Sequence, residues 1–89
     1  MPKKSTSRPT IFGTQIRAAR ALLGWNAAEL AQEARLGLAT IRRAEARGGE
    51  TAMTAANELA VRRALESAGV EFIDENGGGP GVRLRKRQR

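Results

Sequence analysis

The stretch from Asn26 to Arg47, NAAELAQEARLGLATIRRAEAR, constrains the fold more than any other part of the chain. Leu30, Ala31 and Ala34 recur at helical spacing, which makes one apolar stripe and leaves Glu29, Gln32 and Glu33 in water. After Arg35 the pattern restarts, with Ile41 and Ala44 pointing inward and Arg42, Arg43 and Arg47 pointing largely outward. The segment reads as two short helices joined by a tight turn. Helices of about two turns cannot bury enough surface to stand alone, so this pair must rest on helices from either side. An exposed row of arginines on the second helix suits major-groove reading, because forked guanidinium donors match guanine edges and phosphates.

The flanking residues supply that support. Thr14, following Gly13, is expected to cap a helix running to Leu23, with Ile16, Ala19 and Leu23 inward and Leu22 at the edge. Gly24 ends it, and Trp25 at the junction is read as a core plug. Asn26, with Glu29 three residues on, forms a capping-box pattern, and the unpaired N–H groups of that helix start favour an anion. Gly48 and Gly49 are expected to stop the arginine-bearing helix. A longer helix then runs from Glu50 or Thr54 to Ala68, with Val61, Leu65 and Ala68 on one face and Leu59 beside them. Glu58, Arg62 and Glu66 are spaced for i,i+4 pairs outside, and Gly69 suits the position just past the end.

Beyond Gly69 the period changes from helical to alternating. Val70 and Phe72 face one way and Glu71 and Ile73 the other; after DENGGGPG, Val82 and Leu84 oppose Arg83 and Arg85 in the same manner. This predicts a short hairpin, or strands that pair with a second chain, and Glu71 can oppose an arginine in either case. The intervening glycines lack the Lys-Ser/Thr of a phosphate-cradling P-loop, so they read as a connection.

Charge is concentrated at the two ends. Of the sixteen Lys and Arg residues, eight lie within residues 1–10 and 81–89, where there is no acid; residues 11–80 carry eight positive charges against nine negative. The expected organisation is a disordered basic arm over 1–12, a helical domain over 13–69, a strand pair over 70–85 and a basic tail over 86–89. Within Arg35–Arg47, however, four arginines face one glutamate, a local excess that suits phosphate. The chain has no Cys and no His, which removes the usual zinc sites, disulfides, thiol catalysis and every His-based triad. With one Asp, no Tyr and no evident carboxylate pair, no enzyme, cofactor or metal is expected. No apolar run approaches membrane length, so the expectation is a cytoplasmic protein with no membrane partner.

The order Arg20, Trp25, Asn26, Glu29, Leu30, Ala31, Ala34, Leu36, Thr40, Ile41 and Glu45 resembles the Xre/Cro/phage-repressor class of helix-turn-helix proteins. That class follows a pattern close to R-x4-W/L-S/N-Q-x-E-L-A-x-x-A-G-V-S-x-x-T-I-x-x-x-E, and the match runs from Ile16 to about Glu45. The segment GVEFIDENGGGPGVRLR also looks like the C-terminal end of many small bacterial regulators of this class. The resemblance implies a mainly α fold, a four- to five-helix lambda-repressor-like domain with a short C-terminal hairpin or strand pair. It further implies that Arg20 pairs with Glu45, tying the first helix to the reading helix. Three positions depart from the pattern: Ala27 replaces Gln, Arg35 a turn Gly, and Gly37 a Ser or Thr cap. Arg35 at positive φ costs on the order of 1 kcal/mol, and a Gly cap only a few tenths.

The functional expectation is a transcriptional regulator, such as a repressor, that binds a palindromic site on double-stranded DNA as a homodimer. Arg42 and Arg43 are the candidates for bases, Leu38 and Ala39 for thymine methyls, and Asn26, Thr40 and Arg47 for phosphates. Val70, Phe72, Val82 and Leu84 are the candidate dimer element. The alternative is a protein-interaction module, an antitoxin or anti-activator, that keeps a degenerate helix-turn-helix and uses it on a protein partner.

Overall fold

The computed structural model describes residues 10–85. Helices α1 (Gly13–Leu23), α2 (Ala27–Ala34), α3 (Leu38–Ala46) and α4 (Ala55–Ser67) precede an antiparallel pair, β1 (Val70–Ile73) and β2 (Gly81–Leu84). The fold is mainly α with a short C-terminal hairpin.

Local chemistry sets most of the boundaries. Gly24 ends α1 in the left-handed region at φ 72°, and the Trp25 N–H closes the turn on the Arg20 carbonyl at 2.9 Å. Asn26 and Glu29 form the reciprocal cap of α2, the Asn26 Oδ1 accepting from the Glu29 N–H and the Glu29 Oε1 from the Asn26 N–H, each at 2.7 Å. Arg35 occupies the left-handed turn between α2 and α3 at φ 59° and ψ 45°, where the family pattern has glycine. Thr54 caps α4 by accepting from the Asn57 N–H at 3.1 Å, and Gly69 leaves it at φ 112°.

The core is small and built from branched aliphatics. Ile11, Ile16, Leu30, Ile41, Val61, Leu65 and Val70 are each at most 1% exposed, and Ala19, Ala31, Ala34 and Ala44 fill in between them. Trp25, Leu23 and Leu36 pack half-buried against this cluster, Trp25 in the plugging role its position predicts. Truncating one of the buried Leu or Ile residues to Ala is expected to cost about 2–5 kcal/mol.

Several boundaries and contacts differ from expectation. Helix α1 starts two residues early, so Phe12 and not Thr14 takes the capping position; its N–H is satisfied by the Gln15 Oε1 at 2.8 Å. The folded unit also reaches into the expected arm. Ile11 is core, its N–H donates to the Glu58 Oε2 at 3.3 Å, and Phe12 makes an antiparallel bridge with Glu50. The rest of the expected arm, residues 1–9, and the expected tail, residues 86–89, lie outside the described residues. Glu58 is thereby diverted from Arg62 to the Ile11 N–H and the Thr51 hydroxyl, and only Arg62 and Glu66 form an i,i+4 pair, at 3.2 Å. Ala68 is exposed at the helix end and does not join Val61 and Leu65. Gly48 and Gly49 lie outside the left-handed region, and α3 ends because Arg47 turns extended at φ −90° and ψ 138°.

The two strands pair within one chain, in the register Val70↔Leu84, Glu71↔Arg83, Phe72↔Val82 and Ile73↔Gly81. An isolated two-stranded ribbon is marginal in water, so its support matters. Val70 inserts fully into the core, Phe72 and Val82 pack half-buried against it, and the Arg62 guanidinium lies 5.0 Å from the Phe72 ring centroid. Gln15, 4% exposed, holds the loop end of the hairpin by donating from Nε2 to the carbonyls of Gly81 at 3.0 Å and Ile73 at 3.4 Å. On the opposite face Glu71 and Arg83 pair at 2.7 Å. Val70 therefore cannot serve as a dimer contact, because its own chain encloses it completely. Leu84, 46% exposed, is the member of the expected dimer set most open to solvent.

Candidate nucleic-acid interface

The position of α3 is set from α1. Arg20 grips Glu45 with two hydrogen bonds, from Nε at 2.6 Å and from Nη2 at 2.7 Å, and its Nη1 donates to the Trp25 carbonyl at 3.0 Å. The pair is largely enclosed, with side-chain exposures of 20% for Arg20 and 8% for Glu45. The hydrogen bonds to Glu45 hold the Arg20 pKa above its ordinary value, against the opposing effect of burial and with further help from the carboxylate charge. This is the ion pair that the resemblance to the helix-turn-helix pattern implies for Arg20 and Glu45. It also removes the only acid of α3 from the helix surface.

What remains on that surface is basic or small. A helix turns about 100° per residue, so Ala39, Arg43 and Ala46 lie roughly opposite the buried stripe of Ile41, Ala44 and Glu45. Arg42 stands on one shoulder and Thr40 on the other. Arg35, Arg42, Arg43 and Arg47 are all exposed, and among the described residues none of them makes an ion pair or a side-chain hydrogen bond. Arg35 projects from the turn that leads into α3; sequence reasoning counted its charge but gave it no contact. Its position in the turn between α2 and α3 was the signal available.

The other expected contacts separate into groups. Leu38, expected to meet a thymine methyl, is half-buried and packed against the core, because it lies one turn before Ile41 on the inward side. Ala39 is exposed beside it. Asn26 is exposed at the start of α2; its oxygen is engaged with the Glu29 N–H, which leaves its amide donors free for an anion. Ala27, where the pattern has Gln, packs half-buried on the core. Thr40, Arg43 and Arg47 share a groove of about 230 Å³ with Met53, Thr54 and Asn57 at the start of α4. Sequence reasoning did not place Thr54 or Asn57 beside the arginine helix. Their proximity follows from the short loop after Arg47, which returns the chain alongside α3.

Among the described residues no group of three or more acidic side chains is placed to hold a metal ion, and no helix is long and apolar enough to cross a membrane. No protein-family model matches the chain, and no curated protein matches it in sequence.

Proposed function

We propose that this protein is a cytoplasmic, sequence-specific double-stranded DNA-binding regulator of the Xre/Cro type, with α2 and α3 as its helix-turn-helix and α3 entering the major groove. The observation that carries this reading is the set of exposed, unpaired arginines on and around α3, whose one acid is turned inward and neutralised by Arg20. Solvated arginines without internal partners keep their full donor capacity for phosphates and base edges.

In this reading the roles divide by position on the helix. Arg43, on the crest of α3, is the principal base reader, with Ala39 beside it for apolar contact with a thymine methyl. Arg42, about 100° away around the helix, addresses a different base step or the adjacent strand. Arg47, Thr40 and the Asn26 amide anchor phosphates on either side and fix register. One such helix spans only a few base pairs, so two copies act together on a palindrome with half-sites one helical turn apart. Leu84 and the half-buried Phe72 and Val82 supply the apolar surface for that association.

The test is binding of the purified protein to a selected operator and to a scrambled duplex across a salt series. Arg43→Ala should cost about 1–3 kcal/mol on the operator and much less on scrambled DNA. Equal losses on both would make Arg43 a phosphate anchor, and a parent protein without any DNA preference would move the function to a protein partner.

A further inference from the structure

Helix α3 ends without a cap of its own. Arg47 turns extended, and neither Gly48 nor Gly49 adopts the left-handed conformation that commonly closes helix ends. The last carbonyls of α3 and the loop after it still need donors. They receive them from the first turns of α1. An Arg17 Nη1 donates to the Glu45 carbonyl, the Thr14 hydroxyl to the Gly48 carbonyl at 3.5 Å, and the Gly13 N–H to the Gly49 carbonyl at 2.9 Å. The backbones approach so closely that a Cβ on Gly13 would sit 2.6 Å from the Ala44 oxygen and would also collide with the Arg47 carbonyl. The positive end of one helix and a guanidinium thus face the negative end of the other.

Arg17 and Arg20 are three residues apart on one face of α1, and both grip Glu45, one by its main chain and one by its carboxylate. Arg20 holds the rotation of α3 about its own axis. A donor at the carbonyl of the last turn instead holds the tilt of the helix end, which carries Arg43 and leads into Arg47. We infer that Arg17 is a positioning residue for DNA reading: it caps the C-terminal end of α3 across the helix-helix contact and aims Arg43 and Arg47 without itself touching DNA. This inference rests on the DNA-binding reading above.

The test uses the full chain and two variants, Arg17→Gln and Arg17→Lys. Amide exchange is measured first, without DNA. Loss of one charge-assisted hydrogen bond should speed exchange across residues 44–50 by about tenfold in Arg17→Gln, with α2 and α4 unchanged, and Arg17→Lys should restore most of the protection. Affinity for a selected operator should then fall about tenfold in Arg17→Gln, while scrambled DNA changes less than about twofold and the salt dependence keeps its slope. Arg17→Lys should bind the operator much as the parent does.

Equal losses on both duplexes with a shallower salt dependence would make Arg17 a phosphate contact and overturn the proposal. Unchanged exchange in Arg17→Gln would overturn the cap itself. A parent protein that prefers no DNA refutes the reading of α3 and the aiming role with it; the exchange measurement, made without DNA, shows that failure apart from failure of the cap.

Discussion

Removing Arg20 should harm this protein more than removing both Arg20 and Glu45. In Arg20→Met the Glu45 carboxylate, 8% exposed, loses both of its close hydrogen bonds and its counter-charge, and among the described residues no other cation pairs with it. Stranding a buried charge in this way costs about 3–5 kcal/mol. For a domain of this size, whose whole stability is roughly 4–13 kcal/mol, that is a large fraction. It corresponds to a melting shift of roughly 12–24 °C at the lower figure. The double variant Arg20→Met/Glu45→Leu fills the same space with apolar groups and strands nothing, so it should recover much of the loss. The Trp25 carbonyl, which loses its Arg20 donor in both variants, limits the recovery. Thermal and urea melts followed by circular dichroism measure all three proteins. The reasoning fails if Arg20→Met melts with the parent, or if the double variant is no more stable than the single one.

Three further outcomes follow from particular contacts. Gly13→Ala should destabilise by about 1–3 kcal/mol, measured in urea, because its Cβ meets main-chain oxygens that cannot swing away. Arg83 holds the Glu71 carboxyl below its usual range, chiefly by their hydrogen bond and then by its charge. A lowered folded pKa means that this support for the hairpin is complete above the unfolded carboxylate range and fades as pH falls through the lowered value. Amide shifts of Val82–Leu84 followed by NMR should therefore titrate on acidification, and the Glu71→Gln protein should lack that step. Leu84→Glu should give a monomer by analytical ultracentrifugation and weaken operator binding; a variant still dimeric would place the association surface elsewhere.

Elements with a local chemical signature were legible in the sequence. Asn26 and Glu29 announce the cap of α2, the alternation from Val70 to Arg85 announces the hairpin, and Arg20 and Glu45 announce their pairing through the family pattern. Arg35 at positive φ was readable for the same reason, since the turn geometry asks for glycine there. What was hidden depends on contacts far apart in sequence. Ile11 and Phe12 follow a basic, proline-bearing stretch with no periodicity, and only the bridge to Glu50 and the Glu58 carboxylate reveal why they are ordered. Gln15 sits one position before Ile16 and carries no sequence signal of its own, yet the hairpin buries it. The cap of α3 was hidden too, because Gly48 and Gly49 look sufficient to end a helix and the donors come from some thirty residues earlier. At the interface, the half-burial of Leu38 was not legible, because a nine-residue helix offers few positions from which to set its inward direction.

The central claim is that α3 reads DNA sequence, and selection of duplexes from a random pool by the purified full-length protein tests it most directly. The account predicts enrichment of a two-fold symmetric motif, with half-sites centred about 10 base pairs apart and a guanine at a half-site position whose preference relaxes in Arg43→Ala. A pool that stays random after successive rounds, at salt low enough for the protein to bind, would contradict it.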